Sequence, residues 1–131
     1  MKIELEVEKQ VAGDLNITYK HPEYGSHSLK LNNEGLYADK EFFYLNPKYR
    51  TFEGHEYYMG VKFKRGLVVG EEYKLEGNDH GPIWAHLEFD WVSGDKNASG
   101  TFRLTRGGDR PKGVFNLSEE GVFEVKGDFE F

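Results

Sequence analysis

The sequence predicts an all-β fold, namely an antiparallel β-sandwich of about ten strands with jelly-roll-like organisation. The alternative is a closed β-barrel. Apolar side chains recur at every second position in short runs, which is the period of a strand with one buried face. Clusters of Gly, Asn, Asp and Pro separate the runs, and no stretch sustains the period of an amphipathic helix. The 131 residues match the size of one domain, so residues 1–131 are expected to fold as one unit.

Five alternating runs occupy the first sixty per cent of the chain, about half of the expected strands. They are Ile3/Leu5/Val7, Leu15/Ile17/Tyr19, Leu29/Leu31, Met59/Val61/Phe63 and Tyr73/Leu75. Turn-forming clusters follow or separate them, at residues 13–14, 32–35, 46–47, 77–82, 93–95 and 107–111. Gly, Pro, Asn and Asp favour turn conformations, so each predicted strand is expected to end at such a cluster.

Residues 40–61 are rich in aromatic side chains. An extended conformation would send these rings to both faces of a strand, so most of them are expected to fill the core. Tyr57 and Tyr58 are nevertheless candidates for a recognition surface, because tyrosine joins a large apolar ring to a polar tip.

The strand with the clearest alternation covers residues 83–91. Its apolar face is predicted to consist of Ile83, Ala85, Leu87, Phe89 and Trp91. The opposite face would present Trp84, His86, Glu88 and Asp90, which we interpret as candidate ligand-binding or partner-binding residues. An outward tryptophan needs cover, either from the protein itself or from a bound molecule.

The last third of the chain repeats the pattern Gly-x-Phe-x-apolar four times, beginning at Gly100, Gly113, Gly121 and Gly127. The unequal spacing excludes a solenoid and favours a β-meander with a tight connection at residues 118–121. Gly127 is expected to lie on the core side of a continuous last strand and to cause a bend or bulge there. Phe131, the final residue, is expected to pack into the core.

Composition narrows the function classes. The net charge of −6 argues against nucleic acid as a partner and favours a basic protein, through electrostatic steering and complementarity. Without cysteine there is no disulfide, no thiolate metal site and no cysteine nucleophile.

The predicted location is the cytoplasm. Met1 leads directly into an alternating charged run, with neither the basic start nor the apolar core of a secretory signal. No apolar run approaches the roughly 20 residues of a membrane helix, so no membrane partner is expected.

Catalytic and metal-binding signals are weak. His80, His86 and Glu88 are the candidate metal ligands, since imidazole and carboxylate donors suit zinc and similar ions. A solvated polar strand face has the same pattern, so no metal and no cofactor are predicted. Serine-nucleophile and phosphate-binding motifs are missing, so catalysis is not expected.

The first functional hypothesis is a non-catalytic, acidic binding protein that uses a sheet face or its loops against a protein partner, as small inhibitor or immunity-type proteins do. The alternative is a module that binds a small molecule or carbohydrate on an aromatic platform of Trp84 and the tyrosines. A metal-dependent enzyme is the third hypothesis. A dimer formed through an exposed strand edge is also compatible with the sequence.

Overall fold

The computed structural model describes residues 9–76, 81–93 and 98–131, and in these ranges the chain forms thirteen strands and no helix. The strands are β1 (Lys9–Gln10), β2 (Asp14–His21), β3 (Gly25–Asn32), β4 (Leu36–Ala38), β5 (Phe42–Leu45), β6 (Lys48–Arg50), β7 (Glu56–Lys64), β8 (Glu72–Glu76), β9 (Ile83–Phe89), β10 (Val92–Ser93), β11 (Ser99–Arg106), β12 (Lys112–Glu119) and β13 (Phe123–Glu130). The predicted all-β, antiparallel class is confirmed. Over the same ranges, no helix has the length and apolar character needed to cross a membrane.

The strands form two sheets. Sheet A has the order β1-β4-β5-β7-β9-β10, and β6 also pairs with β7. Sheet B has the order β3-β2-β13-β12-β11-β8. Every strand pair in both sheets is antiparallel, and the chain passes between the sheets at β1–β2, β3–β4, β7–β8, β8–β9 and β10–β11.

The apolar core lies between the two sheets, because each long strand turns every second side chain inward. Met59, Val61 and Phe63 of β7 alternate with polar or half-exposed residues, and Leu87 of β9 is fully buried. Sheet B supplies the opposite wall, with Leu15, Ile17, Tyr19, Phe102, Phe115, Leu117, Val125 and Phe129. Burial of each such large side chain contributes about 1.5–3 kcal/mol.

The strand count exceeds the expected ten because some strands are interrupted. β5 and β6 follow each other along the same neighbour, with Leu45 opposite Val61 and Lys48 opposite Tyr58 of β7. Asn46 and Pro47 separate them, and proline lacks the N–H that a continuous ladder would need.

The predicted C-terminal meander is confirmed as β11-β12-β13. The β12–β13 connection is closed by a hydrogen bond from the Val122 N–H to the Glu119 carbonyl oxygen, 3.0 Å long. The third and fourth Gly-x-Phe units fall in or beside the single strand β13. Phe131 is buried, as expected.

The bulge expected at Gly127 is wrong. Gly127 pairs in unbroken register with Phe115 on one side and Ile17 on the other. A Cβ at this position would collide with the Asn16 carbonyl oxygen and lie 3.0 Å from the Phe115 ring. The glycine is therefore required by close packing rather than by backbone conformation.

Candidate functional site

Four turns meet at one end of the sandwich, and we call this surface the turn end. They are the β2–β3 turn (residues 22–24), the β6–β7 turn (51–55), the β9–β10 turn (90–91) and the β12–β13 turn (120–122). The register of β2 on β13 places Lys20 opposite Glu124, which joins the first and last of these turns. The Tyr24 and His55 ring centroids are 4.1 Å apart, and His55 Nδ1 lies 2.8 Å from Asp90 Oδ2.

The β9–β10 turn holds its two residues in an uncommon backbone conformation. Phe89 pairs with Val92, so Asp90 and Trp91 form a two-residue turn with φ values of 49° and 70°. Two positive φ values are typical of a type I′ turn, in which the second residue is usually glycine. For a side chain as large as that of Trp91, the left-handed region costs about 1–2 kcal/mol.

Contacts from β7 and the β6–β7 turn fix this conformation. The Asp90 carboxylate accepts hydrogen bonds from the Glu56 N–H (2.8 Å) and from the His55 ring (2.8 Å). The Asp90 N–H in turn donates to the Glu56 carbonyl oxygen. The His55 hydrogen bond, followed by that of Glu56, holds the pKa of Asp90 below its ordinary value. The carboxylate therefore stays ionised in neutral and mildly acidic solution.

As a result, Trp91 is exposed to solvent over 79% of its surface, which is opposite to its predicted place in the core. The strand ends at Phe89, two residues earlier than the alternation suggested. Asp90 is also displaced from its predicted face, because its side chain turns towards His55 instead of continuing the row of Trp84, His86 and Glu88. The sequence carries no usual turn signal here, since Asp-Trp is not a typical type I′ pair.

Two further aromatic side chains are exposed at the turn end. Phe52 is fully exposed (103%) and Tyr24 is 46% exposed, and Val92 next to Trp91 is also exposed. Two hydrogen bonds between Thr51 and His55 order the β6–β7 turn that carries Phe52. The Thr51 N–H donates to the His55 carbonyl oxygen (2.8 Å), and the His55 N–H donates to the Thr51 hydroxyl (3.1 Å).

The turn that carries Tyr24 is supported in the same way. His21 Nδ1 accepts hydrogen bonds from the N–H groups of Glu23 (3.0 Å) and Tyr24 (3.3 Å). The His21 ring contacts the Phe89 ring in a tilted arrangement, with centroids 4.2 Å apart and an interplanar angle of 40°. Burial lowers the pKa of His21, against an opposing effect of Glu23, which favours the neutral ring needed by these hydrogen bonds.

The four turns, taken together with the strand residues that flank each of them, are strongly acidic. Residues 20–26, 50–56, 88–92 and 118–124 contain eight carboxylates and two basic side chains. Eight less two leaves an excess of six negative charges, equal to the formal net charge of the whole chain. The charges in the rest of the sequence therefore sum to zero.

A pocket of about 410 Å³ opens on the outer face of sheet A beside the turn end. It is lined by Lys48, Tyr49, Arg50, Glu56, Tyr57, Tyr58, Glu88 and Trp91. The strand registers arrange two rows across it, one of Lys48, Tyr58 and Glu88 and the other of Arg50 and Glu56. Its volume lies within the range of small-molecule sites.

Four of the sequence-predicted site residues lie in or beside this pocket. Tyr58 and Glu88 line it, and His86 approaches Glu88 with its Nε2 atom 3.1 Å from Oε2. Tyr57 also borders it but is a core residue, with its ring 4.9 Å from that of Tyr19. Burial raises the pKa of the Tyr57 hydroxyl.

Trp84 lies away from the pocket and is covered by the protein itself. Its ring is 5.7 Å from that of Phe42 in an edge-on contact. Lys62 Nζ lies 4.7 Å from the Trp84 ring and 4.3 Å from the Phe42 ring, in a double cation–π contact. Trp84 is half-buried, so much of the face proposed as a platform is occupied.

The predicted metal ligands are only partly brought together. His86 and Glu88 are adjacent, whereas His80 lies outside the described residues. Within the described ranges, no three His, Asp or Glu side chains are grouped so that they could hold a metal ion.

A second depression, of about 900 Å³, crosses the outer face of sheet B, and sequence reasoning gave no sign of it. Four of its polar side chains pair with one another: Asn16 donates to Asp128 (2.9 Å), and the Thr18 and Ser28 hydroxyls are 2.9 Å apart. Val114 is the one large exposed apolar side chain among its described lining residues.

No family model, no curated protein and no solved structure matches this chain. The features that bear on function are therefore the geometry of the turn end and of the pocket beside it.

Proposed function

We propose that this protein is a non-catalytic binding protein that recognises a basic protein partner through the turn end. The observation that carries the proposal is the exposure of Tyr24, Phe52 and Trp91 on adjoining, hydrogen-bonded turns with an excess of carboxylates. Tryptophan and tyrosine are the residues most enriched at binding hot spots. Binding of this kind needs no cofactor, and the cysteine-free composition is compatible with the predicted cytoplasmic location.

Rigid presentation makes these aromatic side chains suited to binding. A large ring on an ordered turn offers contact area with few torsions left to freeze, so little conformational entropy is lost on association. The backbone strain at Trp91 supports the same conclusion, because strained residues persist where the surrounding contacts enforce them and often serve function.

The charge of the turn end specifies the chemistry of the partner. A surface with many carboxylates attracts a lysine- or arginine-rich surface and accelerates the encounter at low ionic strength. Residues of the same sign on a wrong partner would be repelled, which contributes specificity. The expected partner is therefore a protein with a basic patch that includes an apolar recess for the exposed rings.

The test is affinity capture from the extract of the source cell with three immobilised proteins. These are the native protein, the double variant Phe52→Ser/Trp91→Ser, and the control Val68→Ser/Val69→Ser. Val68 and Val69 are also exposed but lie outside the turn end, in the β7–β8 connection. We expect one stoichiometric basic protein to be retained by the native and control proteins, to be lost from the double variant, and to elute with salt.

Retention of the same proteins by all three baits would contradict the proposal, as would a partner that is acidic or insensitive to salt. Circular dichroism and thermal unfolding of the double variant provide the folding control. Because both substituted side chains are exposed, its thermal midpoint should not fall below that of the native protein.

A further inference from the structure

The pocket beside the turn end has opposite charges on its two sides. Lys48 and Arg50 lie on β6, and Glu88 lies on β9, two strands away. Tyr58 occupies the middle strand between Lys48 and Glu88. Strands are about 4.8 Å apart, so the positive and negative sides of the pocket are separated by about 10 Å at the backbone.

The basic side chains have capacity for a ligand. Arg50 is 70% exposed, and its contact with Glu56 is long, at 4.0 Å between Nη1 and Oε1. Exposed ion pairs of this kind contribute little and exchange readily for a better-placed carboxylate. Lys48 has no carboxylate within ion-pair distance among the described residues. An arginine beside a lysine is well suited to hold a carboxylate, since its planar fork can donate two parallel hydrogen bonds.

The opposite side suits a cation. Glu88 offers a carboxylate there, and Glu56 adds a second one in the central strand. The exposed indole of Trp91 borders the same pocket, and tryptophan is the best aromatic partner for an ammonium group. Tyr58 provides a ring between the two charged sides, against which an alkyl chain can pack.

We propose that this pocket binds a small zwitterion, in which an ammonium group and a carboxylate are joined by a short alkyl chain. The carboxylate lies against Arg50 and Lys48, the chain crosses Tyr58, and the ammonium lies between Trp91 and Glu88. The side chains on the two outer strands extend towards the middle of the pocket, so the two charges of the ligand would be about 5–8 Å apart. A free ω-amino acid has this chemistry, and so does a lysine at the C-terminus of a protein.

This inference goes beyond the proposed function and does not depend on it, because the pocket can bind a small molecule in the absence of any protein partner. The two share Trp91 and the charged side chains of Arg50, Glu56 and Glu88, but the small-molecule experiment uses purified protein alone. A failure of capture from extract therefore leaves the inference untouched, and a failure of zwitterion binding leaves the proposed partner untouched.

The experiment is isothermal titration calorimetry with the linear ω-amino acids from glycine to ω-aminohexanoate. Hexanoate, hexylamine and glucose serve as the singly charged and neutral comparisons. We expect affinity to rise with chain length and ω-aminohexanoate to bind about tenfold tighter than either singly charged analogue, because it makes both charge-assisted contacts. Blue-shifted tryptophan emission should accompany binding, since the exposed Trp91 becomes covered.

Arg50→Gln and Glu88→Gln should each reduce the affinity for ω-aminohexanoate about tenfold, while Lys126→Gln on the outer face of sheet B should leave it unchanged. Arg50 and Lys126 are exposed and Glu88 is half-buried, so circular dichroism of each variant serves as the folding control. A lysine-ended peptide and its C-terminal amide separate the two sources of the ligand. Tighter binding of the free-carboxylate peptide assigns a protein terminus, and tighter binding of ω-aminohexanoate assigns a free small molecule. Equal heats for all probes, no binding, or preference for glucose would overturn the inference.

Discussion

At the scale of single residues, Trp91 combines two unfavourable properties that support each other. It is a large apolar side chain in water, and its backbone is left-handed. Neither property helps the chain to fold, and the hydrogen bonds of Asp90 to Glu56 and His55 maintain both. We interpret this combination as a cost retained for binding.

Replacement of Trp91 by glycine should therefore stabilise the protein while it abolishes recognition. Asp-Gly is a favoured type I′ pair, and relief of the left-handed conformation should contribute about 1 kcal/mol, with little packing lost from an exposed ring. Urea unfolding measures this change. The neighbouring substitution Val92→Gly, in a strand position, is the control and should destabilise; loss of stability in Trp91→Gly would contradict the strain argument.

At the scale of elements, glycines that share one sequence pattern have different structural roles. The pattern Gly-x-Phe-x-apolar predicts the meander, but the glycines differ in their reasons. Gly121 has a φ of 80° in the β12–β13 turn, whereas Gly127 lies in a regular strand where a side chain would meet Asn16 and Phe115. Only the packing of β13 between β2 and β12 distinguishes these cases.

Substitution of Gly127 by alanine should accordingly destabilise the sandwich. The added methyl collides with a backbone carbonyl that a rotamer change cannot move, so we expect a loss of at least about 2 kcal/mol in the free energy of unfolding. Denaturant titration measures the loss. Lys126→Ala, one residue earlier and exposed, should change stability by less than about 0.5 kcal/mol, and equal effects for both variants would refute the steric explanation.

At the scale of the whole molecule, charge is distributed unevenly. The four turns of the turn end and the strand residues that flank them carry an excess of six negative charges, while the charges in the rest of the sequence sum to zero. Such an end orients the protein towards a basic surface during the encounter and acts through a field that salt screens over about 8–10 Å. The polarity follows from the topology, which gathers four turns distant in sequence at one end.

Charge-reversal variants should distinguish the local effect of the turn end on association from the effect of the protein's total charge. Glu53→Lys/Glu120→Lys at the turn end should slow association with the captured partner about tenfold at low salt, and the difference should shrink at high salt. Glu34→Lys/Glu71→Lys changes the net charge equally at exposed positions outside the turn end and should have little effect. Surface plasmon resonance measures both rates. Equal slowing by the two variants would show that only the total charge matters.

The predictability of the site differed between residues. Glu88 was found because an alternating strand exposes every second side chain, and that local rule also placed Leu87 in the core. Tyr58 was found, together with Tyr57, from its residue type in an aromatic-rich segment. Lys48 and Arg50 were missed, since only the pairing of β6 with β7 places them beside Tyr58. Phe52 was grouped with the core aromatics because its turn carried no signal of full exposure.

The two-residue period by itself determined the all-β class, the inward faces of the long strands and the C-terminal meander, because alternation is a local property that any sheet must obey. Tertiary structure alone decided where β9 ends and thus whether Trp91 is core or surface. The physical reason lies in the Asp90 carboxylate, whose partners His55 and Glu56 are more than thirty residues away in the chain. A contact of that range leaves no trace in local periodicity, and it converts an apparent core residue into the most prominent feature of the turn end.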